Sequence, residues 1–239
     1  MTRSLLHRYL GDRRFLLTLP RAVTLQMLHP QVSAAVRDHV HVRLWDHKKR
    51  VVSQMIYMEY GRQDASPVIL AGHEHVKGID LTGRRYHGLR PELFLFQHAT
   101  YVDTLVTSIN TFVEPLSLAD HERLYDECCL WYEGYGVSTR SVPASWAEFV
   151  DYFTEACNSQ LLLTPDNAAL VDEALHPDTW VPARAPSFVT RGIQHPRAAA
   201  LLGITQNWAQ RQAFSTYAHT LRAAFAAAPV QIRYVQQAR

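Results

Sequence analysis

Helical periodicity recurs along almost the whole chain, and it limits the possible folds more than any other feature. Between residues 31 and 42, apolar side chains such as Val32 and Val36 return every three to four positions and therefore share one helix face. The longest such run extends from about 91 to 113 and includes His98 in its apolar stripe. The pattern predicts an all-α fold: one multi-helix globular domain with a slot between helices.

Prolines, glycines and capping residues divide this pattern into segments. The predicted helices cover about 21–29, 31–42, 46–60, 66–77, 91–113, 118–134, 145–162, a short stretch after 166, and 207–228. Residues 79–90 contain two glycines and predict a turn or short hairpin that carries Tyr86. The proline-rich stretch 176–206 is expected to be rich in loops. Since the part beyond it is too short for an independent core, we predict a single domain over 1–239.

Composition excludes several classes of protein. The 239 residues are 47% hydrophobic and 19% charged, which excludes wholesale disorder. The net charge is only +2, so nucleic acid is not the expected partner. The chain shows neither an apolar run of about 20 residues nor the apolar core of a secretory signal. With three cysteines and no CxxC pair, we expect a cytoplasmic protein without an integral membrane segment.

Thirteen histidines are the unusual feature of the composition, because imidazole ligates metals. Two H-x-H pairs occur, His39 with His41 and His73 with His75. On a helix, residues i and i+2 point about 200° apart, so the two imidazoles of a pair could not reach one ion. Only on a strand would they share a face, and a zinc site is therefore not the preferred interpretation.

Pairs separated by four residues are more informative. Arg50 with Gln54 and His73 with Lys77 would each share a helix face. One histidine that projects from a helix into an apolar pocket is enough to hold a heme iron, with its second ring nitrogen fixed by an acceptor. From the residues alone, a lone histidine of this kind is more often a structural residue with satisfied hydrogen bonds than an iron ligand.

A series of motifs extends this interpretation over nearly the whole chain. They are, in order, RYLGD at 8–12, LQMLHP at 25–30, RVVSQ at 50–54, HEHVKG at 73–78, Gly83, Tyr86, QHATYVDT at 97–104, PLS at 115–117, PAS at 143–145 and the arginine within 229–233. In content and order the series resembles the family of latex-clearing rubber oxygenases and mpaB-type oxygenases. The resemblance implies a helical oxygenase that binds heme b.

The resemblance also implies roles for individual residues. His73 leads the H-x-x-V-x-G pattern and is therefore the expected proximal iron ligand, while Arg50 matches the distal arginine. Lys77 stands where rubber oxygenases have an arginine, which suggests a heme-propionate or a structural role. Two positions depart from the family: Gln54 replaces the usual threonine, and Ser53 replaces the distal lysine of rubber oxygenases. Both departures concern substrate and mechanism more than heme binding.

Two of three further matches carry two interpretations each. His98 either supports or lines the pocket, or it is a buried histidine bonded to a neighbouring carbonyl. Tyr86 either lines the pocket or anchors its loop. Arg8 and Asp12 are expected to form an ion pair that organises the N-terminal segment.

The function expected from this resemblance is a heme b-dependent oxygenase acting on a hydrophobic small molecule with dioxygen or peroxide. Arg50 and Gln54 would be catalytic, His73 would ligate iron, and Lys77, His98 and Tyr86 would help to bind the cofactor. Two alternatives stay open. One is a heme-binding sensor or carrier without turnover, and the other is a helical protein that binds no heme.

Overall fold

The computed structural model describes residues 4–61 and 63–239. The predicted domain 1–239 includes residues 1–3 and 62, which lie outside this description. The fold is all-α, as predicted: helices account for most of the described chain, and a two-stranded antiparallel sheet is added to them. None of the helices described is both long enough and apolar enough to cross a membrane.

The helices follow one another with short connections. They are α1 (Leu5–Tyr9), α2 (Arg13–Leu28), α3 (Pro30–His39), α4 (Leu44–Gly61), α5 (Ser66–His73), α6 (Pro91–Phe112), α7 (Leu118–Glu133), α8 (Trp146–Gln160), α9 (Ala168–Leu175), α10 (Ser187–Gly192), α11 (Pro196–Leu201), α12 (Trp208–Ala227) and α13 (Val230–Arg233). Single 3-10 turns cover Pro182–Arg184 and Gln236–Ala238. Strands β1 (Lys77–Ile79) and β2 (Arg85–His87) lie between α5 and α6, with Gly78 paired to Tyr86.

Helices α2 and α6 form the centre of the molecule. Asp12 caps α2 by accepting a hydrogen bond from the Arg14 backbone N–H, and 15 of the 16 residues of α2 are buried. The helix packs along α6, where Arg21 donates two hydrogen bonds, at 2.6 and 3.0 Å, to the Asp103 carboxylate. A bidentate pair of this kind fixes the relative position of the two helices.

The predicted helix 66–77 is wrong in its last turn. Helix α5 ends at His73, and Lys77 is the first residue of β1. Gly78, the next residue, lies very close to the paired strand: a Cβ at this position would lie 2.6 Å from the Tyr86 hydroxyl oxygen. Close cross-strand approach therefore requires glycine here. The predicted hairpin that carries Tyr86 is confirmed, although it begins at residue 77.

Two other expectations differ from the structure. The stretch 176–206 contains α10 and α11 as well as loops. The pair between Arg8 and Asp12 is wrong: Asp12 binds Arg14 at 2.6 Å, and Arg8 binds Glu114 at 3.0 Å. Because Asp12 is the cap of α2, its carboxylate is directed to the first turn of that helix, and α1 ends before it.

Candidate active site

A cavity of about 580 Å³ lies among α3, α4, α5 and α6. Its volume is within the roughly 300–1,000 Å³ of small-molecule sites. Four of the residues predicted from sequence line this one cavity: Arg50, Gln54, His73 and His98. They come from α4, the end of α5 and α6, so folding brings together residues separated by up to 48 positions.

One face of α4 forms the longest wall of the cavity. The residues of α4 on this wall are His47, Lys48, Arg50, Val51, Gln54, Met55 and Met58. Most of them are three or four positions apart, which is the spacing of neighbours on one helix surface. The same helix therefore supplies both apolar surface and the cations of the cavity.

His73 is the last residue of α5 and lines the cavity. Its Nδ1 lies 2.7 Å from the carbonyl oxygen of Ile69, one turn earlier. Because a carbonyl only accepts hydrogen bonds, Nδ1 carries the ring proton, and Nε2 keeps its lone pair. Burial lowers the pKa of His73, which favours the neutral ring. Within the described chain, Nε2 has no hydrogen-bond partner.

The two H-x-H pairs lie at helix ends rather than inside helices. His39 and His73 are the last residues of α3 and α5, and His41 and His75 follow them outside the helices. All four line the cavity, and the rings of His39 and His75 lie 6.1 Å apart. The separation of about 200° expected for residues i and i+2 of a helix therefore does not hold for either pair. Among the described residues, no three His, Cys, Asp or Glu side chains converge as a ligand set for a metal ion.

Arg50 lies beside His47 on the wall formed by α4. Its Nη2 donates to Nδ1 of His47 over 3.5 Å, and Arg50 makes no ion pair with any residue that the structure describes. Burial, together with the positive charges of Lys48 and Arg50, lowers the pKa of His47 to about 3. His47 is therefore neutral near pH 7, and the Arg50 guanidinium is free to bind an anionic or oxygen-bearing ligand.

His98 satisfies both interpretations made from the sequence. It lines the cavity, and its Nε2 donates to the carbonyl oxygen of Cys128 over 3.2 Å. The rings of Trp131 and Tyr132 pack against it at 4.8 and 5.1 Å. Burial lowers the pKa of His98 to about 3, so the ring is neutral, and its Nδ1 has no partner in the described part of the chain.

Lys48 is a functional candidate that sequence reasoning missed. Its side chain is buried, with 4% of its surface exposed, and it lines the cavity. Its ammonium donates to Oε1 of Gln26 at 2.7 Å. A signal was present in the sequence, since Lys48 precedes the buried Val52 by one turn and so lies on the apolar face of α4. A lysine at such a position is rare unless it is paired.

The lining of the cavity is positively charged and apolar. Among the described residues, it contains Lys48 and Arg50 but no Asp or Glu. Several apolar lining residues are exposed to solvent, among them Val42, Val51 and Val68. Exposed apolar surface that is grouped around a cavity is typical of a ligand site. The lining therefore suits a ligand that is mostly apolar and carries negative charge.

The structure places the other predicted residues outside the cavity lining. Lys77 is exposed on β1, and its carbonyl accepts a hydrogen bond from His39 at 3.3 Å. The buried Tyr86 donates its hydroxyl to Asp38 at 2.8 Å, and burial together with that bond raises its pKa to about 12. Ser53 is also absent from the lining. Contact of Lys77 or Tyr86 with a cofactor stays a prediction, while anchoring of the hairpin accounts for the position of Tyr86.

A sequence model of one protein family matches residues 7–224, which is most of the chain. The family is described as ER-bound oxygenase mpaB/B'/Rubber oxygenase, catalytic domain. Neither a curated protein nor a solved structure matches the chain. The matched region contains every residue of the cavity wall, so the fold, the site and the family refer to the same part of the molecule. The chain thus belongs to the mpaB/rubber oxygenase catalytic-domain family.

Proposed function

We propose that this oxidoreductase is a heme b-dependent oxygenase acting on a hydrophobic small molecule, with His73 as the iron ligand. The observation that carries the proposal is the hydrogen bond from His73 Nδ1 to the Ile69 carbonyl. A ligating histidine typically donates its second ring N–H to such an acceptor, which orients the ring and raises its basicity. The accepting nitrogen, Nε2, is then the atom available to iron.

The properties of the cavity support heme as the occupant. Its apolar walls suit the porphyrin ring, and its buried cation, Lys48, suits a propionate. A heme needs only one protein ligand, so the lack of a three-residue metal cluster among the described side chains does not conflict with it. His73 would hold the iron, and Val51, Val68 and Phe94 would contact the ring.

The heme, when bound, would supply the oxidative chemistry that protein side chains lack. Arg50 would donate hydrogen bonds to oxygen as it gains negative charge, which a preorganised cation does effectively in a site poor in water. Gln54, one turn further along α4, would orient the substrate or the oxygen by hydrogen bonding. Dioxygen or peroxide would be the second substrate. Since all three cysteines are free thiols, we place the protein in the reducing cytoplasm.

The test is the absorption spectrum of the protein after reconstitution with hemin. The wild type is expected to give a Soret band of ligated heme. His73→Ala is expected to lose or strongly shift the band, whereas the matched control His75→Ala keeps it. A band unchanged in His73→Ala would assign the ligand to another histidine, with His75 and His98 as the next candidates. A wild type that stays colourless would reject heme altogether.

Arg50→Ala separates heme binding from turnover. The variant is expected to keep the Soret band and to lose about 100-fold to 1,000-fold in the rate of oxygen consumption, the usual loss when one such donor is removed. Unaltered turnover would remove Arg50 from the mechanism. A wild type that binds heme stably but consumes neither oxygen nor peroxide with any hydrophobic substrate would favour a sensor or carrier.

A further inference from the structure

Lys48 is a buried cation that has no counterion among the residues that the structure describes. Of the three N–H groups of its ammonium, one donates to Gln26, and the other two have no acceptor among the described residues. No carboxylate pairs with Lys48 in the described part of the chain, and none lines the cavity. A buried charge is costly unless it is paired. The site is therefore incomplete without an anion.

The position of the ammonium is fixed by a chain of hydrogen bonds. Thr100 donates its hydroxyl to the Gln97 carbonyl at 2.6 Å, so its oxygen is left to accept from Nε2 of Gln26 at 2.8 Å. The amide of Gln26 is thereby oriented with Oε1 toward Lys48. Two buried residues, Gln26 on α2 and Thr100 on α6, thus fix the position of the Lys48 amine at the cavity wall. Such preorganisation is what a binding site requires.

We propose that the Lys48 ammonium binds a carboxylate, so that a ligand of this cavity is an amphipathic acid rather than a neutral hydrocarbon. The carboxylate belongs either to the substrate or to a propionate of the porphyrin. In both cases the apolar lining holds the hydrocarbon part, and Lys48 supplies the charge-assisted hydrogen bonds. The inference deepens the proposed function and rests on it for the identity of the cavity as the catalytic one.

The test compares each acid with its neutral ester. The probes are oleate against methyl oleate and hemin against hemin dimethyl ester, each titrated below its aggregation concentration by quenching of tryptophan fluorescence. In at least one pair the acid is expected to bind about 10-fold to 100-fold more tightly, the range typical of hydrogen bonds to a charged group. The pair that shows the preference identifies the source of the carboxylate.

Variants assign this preference to Lys48. Lys48→Met is expected to abolish it, and Lys49→Met, which alters the exposed neighbour on the same helix, is expected to keep it. If Lys48→Met does not fold, Arg50→Met takes its place as the test variant. Tighter binding of the acid that survives in Arg50→Met supports Lys48 as its partner. Loss of this preference in Arg50→Met overturns the proposal. Equal binding of acid and ester in both pairs, or a preference retained in Lys48→Met, would also overturn it. The oleate pair needs no heme, so its result stands even where the wild type gives no Soret band.

Discussion

Helices α2 and α5 both carry apolar side chains, yet their surroundings are opposite. In α2, 15 of 16 residues are buried. In α5, none is buried, although its sequence is SPVILAGH, and Val68 and Leu70 are 46% and 41% exposed. The first helix is covered by the rest of the protein, whereas the second forms a wall of the cavity and leaves apolar surface open.

The polar groups of the two helices differ in the same way. On α2, Arg21 is paired with Asp103, and Gln26 is bonded to both Thr100 and Lys48. On α5, His73 has one nitrogen bonded and the other free within the described structure. The difference teaches that the buried charge of α2 is paired within the protein, whereas the cavity wall keeps a ring nitrogen without a partner in the described chain. The following experiments test that difference, beginning with the largest expected effect.

Removal of one partner of the buried pair between α2 and α6 should cost the most. Asp103→Ala leaves the Arg21 guanidinium buried without its carboxylate, and we expect the free energy of unfolding to fall by about 3–5 kcal/mol. Urea denaturation measures the change. Asp178→Ala, which removes the partner of the exposed Arg43, is the control and should cost far less, because an exposed ion pair contributes little to stability. Equal losses in the two variants would contradict the view that the α2–α6 core is built around this pair.

Hydrogen exchange distinguishes the cavity wall from the core. In the ligand-free protein, amides of α5 should exchange much faster than those of α2, because none of the residues of α5 is buried. If His73 at the end of α5 holds the iron, opening of this helix releases the heme. Hemin at 100 times its dissociation constant should then slow amide exchange in α5 about 100-fold. Helix α11 does not line the cavity, and its local opening should not respond. Unchanged exchange in α5 would show that this helix is not part of the heme site.

Acidification probes buried histidines of the core. Burial lowers the pKa of His29 to about 4 and that of His98 to about 3, below the usual value near 6.5. Between these values the unfolded chain binds protons that the folded protein excludes, so stability falls as pH falls. From pH 7 to pH 5 we expect a loss of about 2 kcal/mol for each of the two residues.

Urea denaturation at the two pH values measures this loss. His98→Phe should reduce it by about 2 kcal/mol, because phenylalanine binds no proton in either state. The control is Leu118→Asn, which alters an exposed side chain that does not titrate and should leave the pH dependence unchanged. A loss that His98→Phe does not reduce would mean that His98 is not held neutral by burial.

Local signals in the sequence predicted most of the fold. Ser117 and Ser145 cap α7 and α8, close to the predicted starts of these helices, since a cap depends only on the residues that follow it. The end of α5 was wrong because β1 forms by pairing with β2, and that partner lies several residues further along the chain. The pair between Arg14 and Asp12 was missed because it depends on where α1 ends and α2 begins.

The site was predicted in part. Arg50, Gln54, His73 and His98 were identified by motif, and the structure brings all four to one cavity. Motif matching could not identify Lys48, because its importance arises from contact between α4 and α2, which are separated in sequence. It also placed Lys77 on a helix, whereas Lys77 lies on β1, because the hairpin forms by pairing with residues further along the chain.

The central claim is a bond between His73 Nε2 and heme iron. The resonance Raman spectrum of the ferrous, hemin-reconstituted protein tests it directly through the iron–histidine stretching band. We predict that the wild type shows this band, that His73→Gly lacks it, and that added imidazole restores a band in the variant by occupying the vacated position. The same band in His73→Gly without imidazole would contradict the account, because another residue would then be the ligand.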